Sequence, residues 1–424
     1  MAVPANSASQ NTSYKVVLPF YIYAAAAFFV ATLMLVFSSS AFTQHYFHPN
    51  TLAITHVMAL GWGTMIILGA SYQLVPVLIE HKLYSDRLAY LSFFLAATGI
   101  PFLAYAFLTF DMGWPAQTGG ILVNLAVIVF MINMAMTMAG NKKQNVHAMF
   151  MLTATAWLLV TTLVGLLLVY NFSWNMLSND SLHYLPFHAH LGIIGWFLLL
   201  VIGVGSRLIP MFLISKYTNE KLLWTIFILL NGGLSIFVGM FLVNMEIEFF
   251  ALPVIMGIVA IACFGYYCFR AFRERIRKQV DEPMKISLVS VGIMLLALLI
   301  LGIVVALLIV PVKSSSVVLV YGFSIFFGWI TALIFGMTFK TLPFIIWNKV
   351  YHSMAGKKKT PNPKDLFSTP VFNAMAITYL AGFILFITGV LLIKILFLQL
   401  ATGLLLAAAI LYNWNVFKLV LHKA

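Results

Sequence analysis

The chain has 424 residues, of which 62% are hydrophobic and only 8% charged, with a formal net charge of +13. Soluble domains carry about 45–50% apolar and ~25% charged residues, so an ordinary soluble enzyme is excluded and a polytopic membrane protein remains. The basic excess is divided among short segments between apolar runs, with no soluble domain to organise it, which argues against a nucleic-acid surface.

Twelve apolar runs are long enough to cross a hydrocarbon core of about 30 Å. They predict helices over 17–40, 52–79, 88–110, 118–139, 148–170, 185–215, 222–243, 250–269, 286–311, 316–347, 369–392 and 397–417. A polar, acid-free segment, Met1 to Tyr14, precedes the first run. With no Ala-x-Ala-like site after Phe42, the run reads as a retained first helix rather than a cleaved signal. Cys263 and Cys268 fall near one end of the eighth run and are expected to be inert thiols without a disulfide. The longest polar connections, about 270–285 and 348–368, read as solvated loops, the second touching anionic headgroups through Lys357, Lys358 and Lys359.

Lys82, Arg87, Lys142, Lys143, Lys216, Lys221, the run Arg270 to Lys278 and the stretch Lys349 to Lys364 lie on one side, with only Lys313 and Lys394 on the other. The positive-inside rule then places both termini in the cytoplasm and the chain in the cell's inner membrane. The expected fold is all-α, a single transmembrane domain over residues 1–424.

A repeat runs through this apolar background. Gly61-Trp62, Gly69 and Pro76 recur as Gly195-Trp196, Gly203 and Pro210, and again as Gly328-Trp329, Gly336 and Pro343. The prolines are 134 and 133 residues apart, which predicts three units of four helices, about 1–140, 141–275 and 276–424, in three pseudo-symmetric arcs. The glycines permit close helix approach, and packing alone accounts for them. The residue three before each proline is polar, Gln73, Arg207 or Lys340, and is expected to reach the headgroups. Asn124, Asn133, Thr155 and Asn231 are expected to bond between helices.

Twenty residues before the repeat prolines stand His56, His190 and Phe323. Of the ten histidines, His45, His48, His56, His183, His188 and His190 cluster on the outer side, whereas His81, His147, His352 and His422 read as solvated inner-side residues. Intramembrane ionisable groups are costly and point to function. Equivalent faces of neighbouring units would bring His56 and His190 to opposite sides of one porphyrin iron. On a helix His188 points about 200° away from His190, toward a second metal or heme. A copper or zinc site from His45, His48, His183 and His188 is the other arrangement, since imidazole suits both metals. All eleven acidic residues lie in or beside loops, which disfavours an ion-driven solute transporter.

The twelve spans, the histidine early in the second and the His188-Ala189-His190 motif resemble subunit I of the heme-copper oxidase superfamily. The segments THVMALGWGTMIILGASYQLVPVL and FHAHLGIIGWFLLLVIGVGSRLIPMF are similar to its short, divergent cbb-type relatives. A more distant resemblance is to membrane heme proteins of the NnrS kind. The resemblance implies one or two hemes b, with His56 and His190 as axial ligands and His188 on a second heme or catalytic metal, copper included. It implies an outer-side site handling electrons or a diatomic gas, nitric oxide or dioxygen, as in a heme-dependent oxidoreductase. Lipid surrounds the chain, and a quinol or cytochrome donor, partner subunits or a second copy are the expected partners. The chain departs from the family in placing its His-x-His on the sixth span and in having no histidine within 222–243, where the family carries a pair. The usual three-histidine copper site is therefore not expected. The competing reading is a heme or copper transporter or chaperone without redox turnover.

Overall fold

The computed structural model describes residues 12–140, 145–276, 278–309 and 315–423. Residues 1–11, Lys142, Lys143, Arg277 and Lys313, which entered the reading of the N-terminal segment and of the charge distribution, lie outside the described residues. Among the described residues, twelve helices have the length and composition to cross a membrane. They are α1 (Tyr14–Phe37), α2 (Pro49–Leu78), α3 (Asp86–Thr109), α4 (Trp114–Ala139), α5 (Val146–Trp174), α6 (Leu185–Leu213), α7 (Glu220–Leu242), α8 (Ile247–Arg273), α9 (Glu282–Leu307), α10 (Ser315–Met354), α11 (Thr369–Leu391) and α12 (Ile395–Val420). Helix α10 continues to Met354 rather than stopping near 347, and Trp347 Nε1 there donates to the Pro361 carbonyl at 2.8 Å.

Helix starts use the caps that their sequences offer. The side chains of Ser13, Ser85, Asn145 and Asn219 accept from first-turn backbone N–H groups of α1, α3, α5 and α7. His48 does the same for α2, with Pro49 at the first helical position. Both cysteines are free thiols.

Hydrophobicity does not tell a lipid-facing helix from a central one, because lipid is as apolar as a leucine core. Small residues decide it. Helices α2, α6 and α10, which carry the repeat, are each 72% buried over their most apolar stretch, against 17–50% for the other nine. A Cβ added at Gly69 would lie 2.6 Å from Phe20 Cβ, and one at Gly203 or Gly336 would collide with Phe150 or Ser287. Phe20, Phe150 and Ser287 belong to α1, α5 and α9, so each central helix is pressed by its glycine onto the first helix of its own repeat unit.

Each central helix also loosens into a π-helical stretch, Val57–Thr64, Leu191–Leu198 and Ser324–Ile330. The stretches begin directly after His56, His190 and Phe323. Such wider turns re-aim side chains and frequently mark functional positions. Trp62 Nε1 donates to Thr331 Oγ1 at 3.0 Å, and Trp196 Nε1 donates to Thr64 Oγ1 at 3.0 Å. Both bonds run from the tryptophan of one repeat to the residue two beyond the tryptophan of another. Leu198 stands at the third acceptor position, opposite Trp329 in the repeat, and offers no hydroxyl. Contacts of this kind are heterologous: a residue meets a different repeat position across the boundary, never its own equivalent.

The outer helices close unevenly. Helix α4 packs along α5 and α12 along α1, whereas α8 touches α9 only sparsely. Toward the end opposite the outer-side histidines, Lys340 does not extend to headgroups as expected. Its Nζ binds Asp281 Oδ2 at 2.6 Å and sits 4.9 Å over the Phe212 ring. Three of the four polar residues expected to join helices do so. Asn124 Nδ2 donates to the Thr162 carbonyl at 3.0 Å, Asn133 Nδ2 to the Ser85 carbonyl at 2.8 Å, and Asn231 Oδ1 accepts from Trp157 Nε1 at 3.0 Å. Thr155 instead bonds the Met151 carbonyl of its own helix at 2.8 Å, the local option open to any helical threonine.

Candidate functional site

His56 is the last residue of the α-helical opening of α2, just before the π-helical stretch. Its Nδ1–H donates to the Leu52 carbonyl one turn back, at 2.8 Å. That bond settles the tautomer, leaving the Nε2 lone pair for a partner. Phe107 of α3 lies against the ring at a centroid distance of 4.3 Å.

The ring facing His56 belongs to His188, in the first turns of α6. The two centroids are 6.3 Å apart and the ring planes are inclined by 16°. Both rings line one cavity walled by α2, α3, α4, α5 and α6 and by Phe326 of α10, with a volume of about 160 Å³. The wall is apolar, without a single Asp, Glu, Lys or Arg. Gly120, Gly165 and Gly192 leave room in it, and a Cβ on Gly165 would lie 2.9 Å from His188 Cε1.

Two buried polar atoms on this wall are unpaired. Asn124 spends its amide N–H groups on the Gly120 and Thr162 carbonyls, and its Oδ1 has no partner. His188 Nδ1 has none either; the Thr161 backbone lies beside the ring but outside hydrogen-bond geometry. Orphaned buried groups cost about 1–3 kcal/mol each.

His190 takes no part in this cavity, and the expected pairing of His56 with His190 is not formed. The reason is the heterologous contact already seen in the tryptophan bonds. Position 56 of one unit faces, in the next, the position two residues before its own equivalent, which is His188. The same offset pairs His190 with Tyr321. His190 and Tyr321 repeat the geometry of the first pair, with centroids 6.0 Å apart and planes inclined by 23°. His190 Nδ1–H donates to the Pro186 carbonyl at 2.7 Å, as His56 does to Leu52, and Tyr321 Oη lies 3.4 Å from His190 Nε2. Phe237 of α7 completes the group, 5.7 Å from the imidazole. The third position is filled by stacked rings, Phe323 against Phe327, Phe383 and Phe386.

The remaining histidines expected on the outer side do not assemble. His45 Nδ1 accepts from the Phe47 amide at 3.2 Å, His48 Nδ1 is spent on its cap, and His183 packs against Tyr184 and Phe241. Among the described residues no three His, Cys, Asp or Glu side chains converge as a metal-ion set. His147, expected as a solvated residue, lies in the first turn of α5 with Nδ1 3.0 Å from both the Gly203 carbonyl and Ser206 Oγ.

Tyr321, Gly165 and the unpaired oxygen of Asn124 were not evident from sequence. Tyr321 carries a signal nonetheless: in repeat register it stands where His188 does, two residues before the Phe323 position. No protein-family model matches the chain, so the chemistry of the site rests on these residues alone.

Proposed function

We propose that the chain is an integral membrane heme b protein in which His56 and His188 are the two axial ligands, and that it handles electrons or a diatomic gas near the outer face. The observation that carries this reading is the pair of near-parallel imidazoles with centroids 6.3 Å apart on the wall of a charge-free cavity. His56 and His188 would hold the group between them, His56 through the Nε2 that its bond to Leu52 leaves free. Two ligands are too few for a bare ion, which takes four or more. An iron already held by a macrocycle needs only its axial pair. The residues present fit such a group: two imidazoles, three wall glycines, flat aromatic neighbours in Phe107 and Trp196, and unpaired polar atoms at Asn124 and His188.

When bound, the heme would supply one-electron redox chemistry and an iron centre. The chain contributes the rest. Leu52 holds the His56 ring in the tautomer that ligates, Gly165 leaves room for the His188 ring, and the apolar wall excludes water. The charge distribution between spans further supports both termini in the cytoplasm, and the recurrence of Gly-Trp, Gly and Pro supports three four-helix arcs.

The test is spectroscopic. Detergent-purified protein expressed with ample heme should show low-spin b-type bands in a reduced-minus-oxidised spectrum. His56→Ala and His188→Ala should each abolish them, while His190→Ala should leave them in place. Absence of heme bands from the parent protein, or loss of them in His190→Ala alone, would overturn the assignment. Substoichiometric, exchangeable heme would instead favour a carrier of heme over a resident cofactor.

A further inference from the structure

Four asparagines are buried among the described residues, and three of them spend both ends of their amides on protein. Asn133 donates to the Ser85 carbonyl and accepts from the Ser85 amide. Asn171 donates to the Asn179 carbonyl and accepts from the Leu177 amide, and Asn415 exchanges the same two bonds with the Ser368 backbone. The fourth, Asn124 of α4, is 5% exposed and commits only its nitrogen, to the Gly120 carbonyl at 2.9 Å and the Thr162 carbonyl at 3.0 Å. Its Oδ1 has no partner, and of the four it is the one that lines the cavity of His56 and His188.

Turning the amide round would not mend this, because its oxygen would then face two carbonyl oxygens. Nor do the hydroxyls of the neighbouring α5 turn supply a proton. Thr161 Oγ1 donates to the Trp157 carbonyl at 2.7 Å and Thr162 Oγ1 to the Leu159 carbonyl at 3.1 Å. Asn124 Oδ1 is thus a fixed acceptor, and a ligand that meets it must bring the hydrogen.

The wall limits the form which that hydrogen takes. It carries no Asp, Glu, Lys or Arg, and its titratable side chains are His56 and His188. An ionised carboxylate buried there would have no counter-ion, a cost that drives such a group to take up a proton instead. On heme b the two propionic acids are the peripheral groups with an O–H to offer, and they offer it only when neutral. We infer that Asn124 Oδ1 accepts a hydrogen bond from a heme propionic acid held protonated in this cavity, so that heme enters together with a proton. The inference rests on the proposed heme; it adds the residue that recognises the acid side chain and the protonation state in which that side chain is bound.

The experiment titrates hemin and its dimethyl ester, which has no acid O–H, into the detergent-purified full-length protein, with the Soret band followed across about pH 6 to 8, above the ordinary carboxyl range. Hemin binding to the parent should weaken as pH rises, by about tenfold per pH unit, because each molecule bound must take up a proton. The ester should show no such decline. Protonation of His56 or His188 opposes ligation and weakens binding as pH falls, so the histidines give a slope of the other sign. Asn124→Leu should shift the ratio of hemin to ester affinities by about 3- to 10-fold against hemin, the worth of one hydrogen bond. The pH arm needs no variant: a parent whose hemin and ester titrations respond to pH alike overturns the inference, as does a ratio unchanged in Asn124→Leu. Low-spin bands with either of those results uphold the heme assignment and overturn this one, whereas no saturable binding of hemin or ester overturns both.

Discussion

Replacing Gly165 by Ala places a methyl group against the His188 ring. A Cβ there lies 2.9 Å from His188 Cε1, whereas ordinary van der Waals contact begins near 3.4 Å. The imidazole must retreat by about 0.5 Å, the limit of displacement that a ligand constellation tolerates. Forcing an extra methyl into a packed site costs about 1–3 kcal/mol, or about 5- to 150-fold in an equilibrium constant. Titration of hemin into the detergent-purified protein should therefore show heme binding weakened within that range, with part of the bound heme shifted from low to high spin. Adding Gly165→Ala to His188→Ala should change nothing further, because the ring that collides is gone. A Gly165→Ala protein with parental heme affinity and an unchanged low-spin spectrum would refute the reasoning, since a ligand held at that distance cannot ignore the methyl.

Other changes test the scaffold. Thr331→Val leaves the buried Trp62 N–H without its acceptor and should lower stability by about 1–3 kcal/mol, read as a drop in unfolding temperature in detergent. Leu198→Thr restores the missing third acceptor and should add ~0.6 kcal/mol, the average of interhelical bonds in membranes; a loss of stability would argue against the cyclic arrangement. Lys340→Met leaves Asp281 unpaired. Because that carboxylate is 31% exposed, the cost should be about 1–2 kcal/mol, below that of a fully buried pair, and an unchanged melting curve would count against the contact. Gly69→Ala drives a Cβ into Phe20 and should destabilise the α1–α2 contact by about 1–3 kcal/mol without removing heme bands; heme loss in a stably folded variant would contradict the separation of scaffold from site.

Much of the architecture is legible in the residues themselves. Apolar runs of spanning length announce twelve helices because a bilayer admits few other structures. The Gly-Trp, Gly and Pro recurrence announces three units, and histidines at matched positions in two of them announce where chemistry belongs. His56 and His190 were candidates on this basis, and His188 was one through its place two residues before His190, though for a second heme or metal. The expected copper or zinc set of His45, His48, His183 and His188 was not separable from a heme pair by spacing, since His45, His48 and His183 differ from the cavity histidines only in what surrounds them.

Periodicity and composition thus determined the number of helices, the repeat and the short roster of imidazoles. Only the tertiary structure decided which imidazole meets which. Equivalent positions in a repeat suggest that like faces like, but the observed contacts join unlike positions, Trp62 with Thr331 and Trp196 with Thr64. His56 therefore faces His188 rather than His190, and the second histidine of the motif is handed to Tyr321. Room was decided there as well: glycines that look alike along the chain open a cavity where they stand opposite an imidazole, and elsewhere merely let two helices touch.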